Sequence, residues 1–479
     1  MSGSSEKPIL PPARAEDLSL KNLEKLPIIP PLRPAYEGIC NGIKNVSEGN
    51  LNSAWFTVIG LYGSGKTFLL RRIAHEALQK YENVIPIYFY LGVKDEILLF
   101  NSLGKYMKEI EEYVRSEGKM ASTRTHGEPK LWGERLNVLR EVHDKVGKEK
   151  GKMDIELFFD AMKELNRRGY YPFVVLDEFE RVVYTGEGIV GSELAIRNFD
   201  FLSQHFLELT RGHLFKGVGV LALTDELSEL IRKAKEGKFL HVGQVEEVRI
   251  RDYTKLEIAS PNIVFNQEYR LDWNSIYLDM LCKSLGISLP QDLIDMLSNV
   301  LPTPRTVITI ANRARELGVE KVDRKSVYKL IEGPLETLIK SMRAYKTKSG
   351  RPLIFPTAKW DEWFKMLLEE GYYVINKSEL PVIGKLIRKE EGDERKAHGF
   401  GRNVVNTLVN YGLYDKVARV YYLKRELMAY LLDIERLPSG DHTNLNRVLK
   451  IIESAVEERR ERAKKYRELA QKASKKEST

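Results

Sequence analysis

The 479-residue chain carries 76 Lys+Arg against 68 Asp+Glu, a formal net charge of +8. At 43% hydrophobic and 9% aromatic it has the composition of folded domains, and its length suits two to four of them at roughly 150 residues each. No run of about 18 apolar residues and no apolar leader occurs, so membrane and export readings fall away. Cys40 and Cys282 are the only cysteines, which excludes a disulfide framework and a cysteine zinc site and sets a cytoplasmic, reduced expectation.

Residues 1–20 read as a disordered arm rich in Ser, Pro and charge, and a proline-rich stretch from Pro27 to Pro34 follows. Over 21–255, short apolar runs at 55–60, 84–91, 173–179, 217–223 and 245–250 alternate with amphipathic segments. That pattern predicts an α/β core with a five-stranded parallel sheet and crossover helices. The charged segment from Lys94 to Lys152 predicts surface helices and one mobile loop at 118–130. Residues 256–346 show helical periodicity only and read as a small helical domain, while 346–357, with Gly350 and two prolines, reads as a linker. A mixed third domain is expected over 347–436 and a charged helical tail over 437–479, whose last part, 453–479, is expected to be solvated and partly frayed.

Gly60-Leu-Tyr-Gly63-Ser64-Gly65-Lys66-Thr67 matches G-x-x-x-x-G-K-[ST] between the strand pattern ending at Ile59 and the helix pattern opening with Phe68. Glycines let backbone N–H groups face a phosphate chain, and the helix N-terminus adds its positive dipole end. The contacts expected for ATP are therefore Gly60, Gly63, Ser64, Gly65, Lys66, Thr67 and Phe68, with Lys66 on the β/γ-phosphates and the Thr67 hydroxyl on Mg²⁺. The apolar run Phe173–Leu176 exits into Asp177 and Glu178. Two acids there are costly unless a cation uses them, so Asp177 is expected to hold Mg²⁺ and Glu178 to activate the attacking water.

Thr224 follows the run at 217–223; its hydroxyl would orient water or sense the γ-phosphate, or simply cap the next helix, and both readings stay open. Pro304 followed by Arg305 opens a helix with a cation in its first turn, against the helix dipole, which a bound anion would explain. The nearest guanine-type motif, Asn376-Lys377-Ser378-Glu379, lies in the third domain with the wrong acid, so ATP is preferred over GTP.

In the third domain, Trp360, Trp363, Phe364 and Leu367 fall at i, i+3, i+4, i+7, a core stripe. From Gly401 to Tyr411 an apolar face of Val404, Val405, Leu408 and Val409 opposes Asn403, Asn406, Thr407 and Asn410. Three asparagines run against helix propensity. They suit adenine edges, while Arg402 with Arg395, Lys396 and His398 upstream, and Lys416 and Arg419 in the strand beyond, suit phosphates. Three helices and a β element describe a winged helix-turn-helix for double-stranded DNA, or the same fold used for protein contacts.

Together these motifs resemble the AAA+ ATPases: a Walker A loop at Gly60–Thr67, a Walker B strand at Phe173–Glu178, a sensor-1 position at Thr224 and a sensor-2 arginine at Arg305 in a helical lid. The order core, lid, winged helix resembles the origin-recognition and replication-initiator clade of archaeal type. The resemblance implies slow, regulatory ATP hydrolysis, self-association on ATP binding and work on DNA beside other replication or recombination proteins. It also implies an arginine finger acting in trans, for which Arg232 is the candidate and Arg211 the weaker one. A transposition or partition regulator, and a signalling or defence ATPase whose winged helix contacts protein, are the alternatives.

Overall fold

The computed structural model describes residues 23–24, 26–29, 32–60, 63–91, 97–119, 126–178, 215–223, 254–257, 278–283, 286–301, 303–319, 321–347, 350–354, 359–389, 393–432 and 441–477. The chain divides into two compact units, one of Met1–Val264 with Thr303–Arg305, the other of Phe265–Pro302 with Thr306–Thr479. The second unit takes in the third domain and tail and most of the expected helical domain, whose residues 256–264 and 303–305 fall in the first. No helix among the described residues is long and apolar enough to cross a membrane.

The first unit is an α/β fold around a parallel sheet. Four seven-residue strands, β1 (Ser53–Ile59), β2 (Val84–Tyr90), β3 (Tyr171–Asp177) and β4 (Gly217–Leu223), lie in the order β2-β3-β4-β1, and a four-residue strand, β5 (Thr254–Glu257), pairs along the free side of β1. The strand expected at 245–250 lies outside the described residues, so the short edge strand stands where no apolar run had suggested one. The long strands are nearly continuous Val, Ile, Leu and aromatic residues because each is covered on both faces. All four end at one edge of the sheet. Since β4 alone separates β1 from β3, the loop after β1 and the acids after β3 are held about 10 Å apart by two strand spacings.

Among the described residues, helices α1 (Arg33–Ser47), α2 (Lys66–Lys80), α3 (Leu99–Arg115), α4 (Pro129–Val146) and α5 (Asp154–Arg167) also belong to this unit. The segment read as surface helices with a mobile loop is a substantial part of the core. Trp132 of α4 is fully buried edge-on against Tyr106 of α3, and His126 in the supposed loop has no exposure. Residues 120–125 of that loop lie outside the described residues.

Helix α1 is tied to α2 through Glu76, whose carboxylate accepts hydrogen bonds from Tyr36 Oη at 2.7 Å and from Arg72 Nε and Lys80 Nζ at 2.6 Å. Burial alone would raise its pKa, but the donors from Lys80, Tyr36 and Arg72 outweigh it and hold the group at about 2. A depressed carboxylate stabilises the fold above its unfolded pKa, near 4.3, and loses that contribution as pH falls through the folded value. Glu76→Gln is therefore expected to cost on the order of 1–2 kcal/mol at pH 7, after allowance for solvent screening at the exposed Lys80 ammonium. The difference from wild type in urea denaturation should shrink between about pH 5 and pH 2.

The second unit contains a helical stretch at 278–283, then α6 (Gln291–Val300), most of α7 (Pro304–Glu316) and α8 (Val327–Ala344). These agree with the helical periodicity. The linker reading of 346–357 does not hold for the described part: Lys346 bridges Pro352 antiparallel, Gly350 turns the chain at φ +75°, and Leu353 and Ile354 are buried. A short hairpin carrying two apolar residues is packed into the unit rather than connecting two bodies.

Helix α9 (Trp360–Glu369) buries Trp360, Phe364 and Leu367 of the stripe, whereas Trp363 is only half-buried, edge-on to Phe400. A three-stranded antiparallel sheet of β6 (Val374–Asn376), β7 (Tyr414–Val417) and β8 (Val420–Leu423), in the order β6-β8-β7, flanks α10 (Leu380–Arg388) and α11 (Glu394–Asn410). Helix α11 starts seven residues earlier than the Gly401 boundary read from the sequence, capped by the Asp393 side chain on the Arg395 N–H. After α12 (Arg425–Leu431) comes the terminal α13 (Asp441–Glu477), and even the part from Glu453 that reads as solvated opens with buried residues. Val448, Leu449, Ile452 and Val456 are buried, and Glu453 accepts from Tyr345 Oη at 2.9 Å.

Candidate nucleotide site and candidate DNA-binding surface

Strand β1 ends at Ile59, and the Gly60 N–H still pairs with the Leu223 carbonyl at 3.2 Å. The chain then has to reverse into α2 within a few residues. Gly63 at φ +79° and Gly65 at φ +101° take the left-handed backbone that this needs, Gly65 being the N-cap of α2. Lys66 and Thr67, the first helical residues, are almost completely buried, and Lys66 Nζ donates to the Gly60 carbonyl at 2.7 Å. The Ser64 hydroxyl is buried with no hydrogen-bond partner among the described residues. Phe68 is buried in the first turn. A helix N-terminus leaves its first N–H groups without intrahelical acceptors, so loop and helix together offer donors to an anion.

Asp177 ends β3 with 1% exposure and Glu178 follows with 6%. Burial pushes the Asp177 carboxyl up, against hydrogen bonds from Tyr88 and Thr67, the positive charge of Lys66 and the Glu178 N–H. Glu178 has φ +58°, a conformation uncommon for a non-glycine residue and frequent at functional sites, and its N–H donates to Asp177 Oδ1 at 2.9 Å. The loop and the acid pair, 110 residues apart in sequence, are thus joined through the Thr67–Asp177 hydrogen bond.

Arg305 lies in the segment belonging to the first unit, half-buried, with its backbone N–H 3.5 Å from the Gly63 carbonyl oxygen. Thr224, Arg232 and Arg211 lie outside the described residues. Neither cysteine offers a reactive thiolate, because burial raises Cys40 to about 11 and Cys282 to about 12.

Whether the residues present suit a nucleotide and Mg²⁺ can be tested on the site itself. An orphaned buried hydroxyl at Ser64, a buried ammonium at Lys66 and a hydroxyl–carboxylate pair at Thr67 and Asp177 are what a phosphate chain and a hard, oxygen-liking cation need. They fit. The sequence patterns missed Tyr88, whose hydroxyl donates to Asp177 Oδ2 at 2.6 Å; inside an unbroken apolar strand nothing marks one aromatic as a carboxylate partner.

In the second unit, α11 buries Ala397, Gly401, Val404, Val405 and Leu408. Its outer face exposes Arg395, Lys396, Arg402, Asn403 and Asn410, with His398, Asn406 and Thr407 half-buried and the Thr407 hydroxyl donating to the Asn403 carbonyl. Lys416 at the end of β7 and Arg419 in the turn before β8 are exposed, the Lys416 ammonium lying 5.4 Å from the Tyr421 ring centre. Of the asparagine face read from the sequence, Asn403 and Asn410 stand in the open, while Asn406 and Thr407 are partly covered. The face also continues N-terminally into a basic half that the later boundary had left outside the helix.

No family model and no curated protein matches the chain. Among solved structures, Cdc6p from Pyrobaculum aerophilum is 15% identical, with 85% of this chain and 94% of that one covered, at a TM-score of 0.42. The Aeropyrum pernix ORC2 protein, solved as ADPNP and ADP complexes, is 14% identical over 89% and 94% at 0.35. The Aeropyrum pernix ORC1 protein, solved with DNA, is 14% identical over 84% and 92% at 0.34. The chain is similar to archaeal Cdc6 and ORC proteins.

Proposed function

We propose that this protein is an AAA+ ATPase that binds duplex DNA and uses ATP as an assembly or conformational switch, in the manner of a replication initiator. The observation that carries the reading is the meeting of the Ser64–Lys66–Thr67 loop with the buried Asp177–Glu178 pair. Lys66, Ser64 and the loop N–H groups would hold the β- and γ-phosphates, and Thr67 and Asp177 would hold Mg²⁺. Bound there, Mg²⁺ supplies charge neutralisation on the phosphates. Glu178 would take the proton of the attacking water, its carboxylate aimed by the left-handed backbone that the Asp177 side chain holds. Arg305, whose backbone N–H lies by the Gly63 carbonyl, would meet the γ-phosphate, and Thr224 and Arg232 remain candidates for water orientation and for action on a neighbour's nucleotide in an ATP-dependent assembly.

For DNA, helix α11 would read bases through Asn403, Asn406, Thr407 and Asn410. Arg395 and Arg402 in the helix, with Lys416 and Arg419 in a wing formed by β7 and β8, would meet phosphates. The two groups carry different information, so they must respond differently. In the full-length protein, Ala at Arg395, Lys416 or Arg419 should weaken binding to every duplex and lower the salt slope by about one unit. Ala at Asn403 or Asn406 should cost about 1–3 kcal/mol against a selected site and little against random sequence. The site comes from duplex selection with and without ATP. Unchanged affinities for both duplexes in folded asparagine variants would assign this domain to protein contacts instead.

A further inference from the structure

We infer that Tyr88, walled in by His126, is a positioning residue for the two acids of the nucleotide site, holding Asp177 and through it Glu178. The inference rests on the nucleotide reading above and gives a role to the 94–152 segment, which that reading leaves without one.

Three other buried tyrosines of this protein satisfy their hydroxyls on backbone carbonyls: Tyr106 on Pro86 at 2.7 Å, Tyr113 on Gly127 at 2.9 Å and Tyr414 on Tyr372 at 2.7 Å. Tyr88 instead donates to Asp177 Oδ2 at 2.6 Å, with 0% and 1% exposure for the two residues. The register explains the reach. Tyr90 pairs with Asp177 and Tyr88 with Val175, so Tyr88 and Asp177 share a sheet face two positions apart on neighbouring strands, within range of a long side chain.

The carboxylate is thereby pinned at both oxygens, Oδ2 by Tyr88 and Oδ1 by the Glu178 N–H at 2.9 Å. With Oδ2 released, Thr67 and the Glu178 N–H alone hold the Asp177 carboxylate, which turns more freely about its last torsion, so the bond that keeps Glu178 at φ +58° has a less fixed acceptor. On its other side the Tyr88 ring meets the His126 ring at 4.8 Å between centres. His126 is fully buried, and neither of its ring nitrogens has a hydrogen-bond partner among the described residues. Its imidazole therefore serves as packing, and its backbone is fixed by Trp132 Nε1 donating to the His126 carbonyl at 2.6 Å.

The test is Mg²⁺-dependent equilibrium binding of a fluorescent, hydrolysis-resistant ATP analogue to the full-length protein at constant pH. Tyr88→Phe keeps the ring and removes the donor. It should raise the half-saturating Mg²⁺ concentration about tenfold, the usual scale for losing a group that orients a metal ligand, and leave analogue binding in EDTA unchanged. In an Asp177→Asn background the same change should add less than about twofold, because its effect passes through the carboxylate. A folded Tyr88→Phe protein with the wild-type Mg²⁺ curve, or one whose effect is as large in the Asp177→Asn background, overturns the inference while the nucleotide reading stands. A wild type without Mg²⁺-dependent binding, or one matched by Lys66→Ala, overturns both. Should Tyr88→Phe fail to fold, His126→Ala and His126→Leu serve. Ala, which frees the ring, should raise the Mg²⁺ requirement and Leu, which keeps an apolar wall, should not; equal behaviour of the two counts against the inference.

Discussion

Glu178→Gln is expected to bind ATP as wild type does and to hydrolyse it about 10²- to 10⁴-fold more slowly, the range for removing a general base. The two side chains have the same shape, so the left-handed backbone at φ +58° and the Glu178 N–H bond to Asp177 survive the change; only the proton acceptor is lost. Lys66→Ala should behave in the opposite way. Lys66 is buried at the start of α2, donating to the Gly60 carbonyl and lowering the cost of the Asp177 charge, and in the proposed site it would meet the β/γ-phosphates, so its removal should abolish binding itself. Equilibrium binding and single-turnover hydrolysis, measured on both variants, separate the roles. Wild-type turnover in Glu178→Gln would remove Glu178 from the chemistry.

Gly401→Ala and Gly384→Ala should each destabilise the second unit by about 3 kcal/mol or more, at or beyond the upper end for overpacking. Helices α10 and α11 touch backbone to backbone: a Cβ on Gly384 would lie 1.9 Å from the Ala397 carbonyl oxygen, and one on Gly401 would lie 2.1 Å from that of Leu380. Neither obstacle is a side chain that could swing away, so the helices must separate. Gly399, two residues from Gly401 on the exposed side, provides the control, since a Cβ there meets nothing within 4 Å. Gly399→Ala should stabilise by about 0.5–1 kcal/mol through helix propensity alone. Denaturant unfolding followed by circular dichroism measures all three. Equal effects at the three positions would show that the close helix contact does not form.

Much of the nucleotide site can be read from the chain order of its residues, because each part of it is local. A strand, a glycine loop and a helix are consecutive at 53–80, and the acids of the second motif directly end the apolar run of β3. The stripe at Trp360, Phe364 and Leu367 is equally local, as is the split of α11 into a buried Val404–Val405–Leu408 face and an exposed Asn403–Asn410 face. In all of these, periods of two or 3.6 residues report which side of an element is covered.

What that period leaves out is the identity of the element doing the covering. Strand order alone set Tyr88 beside Asp177, 89 residues away, and buried the end of the supposed loop at His126 behind it. A proline- and glycine-containing stretch read as a linker because its turn residues dominate locally, yet Leu353 and Ile354 found a partner surface within the second unit. The part of α13 from Glu453 on reads as solvated because charges surround its apolar residues, and only packing showed that Glu453 and Val456 are buried. Gly384 and Gly401 are ordinary helix-weakening residues in isolation; the distance between α10 and α11 makes them necessary. Local pattern determines which faces must be buried, whereas the contacts that aim a carboxylate or exclude a methyl group arise between segments far apart in sequence and exist only once the elements have packed.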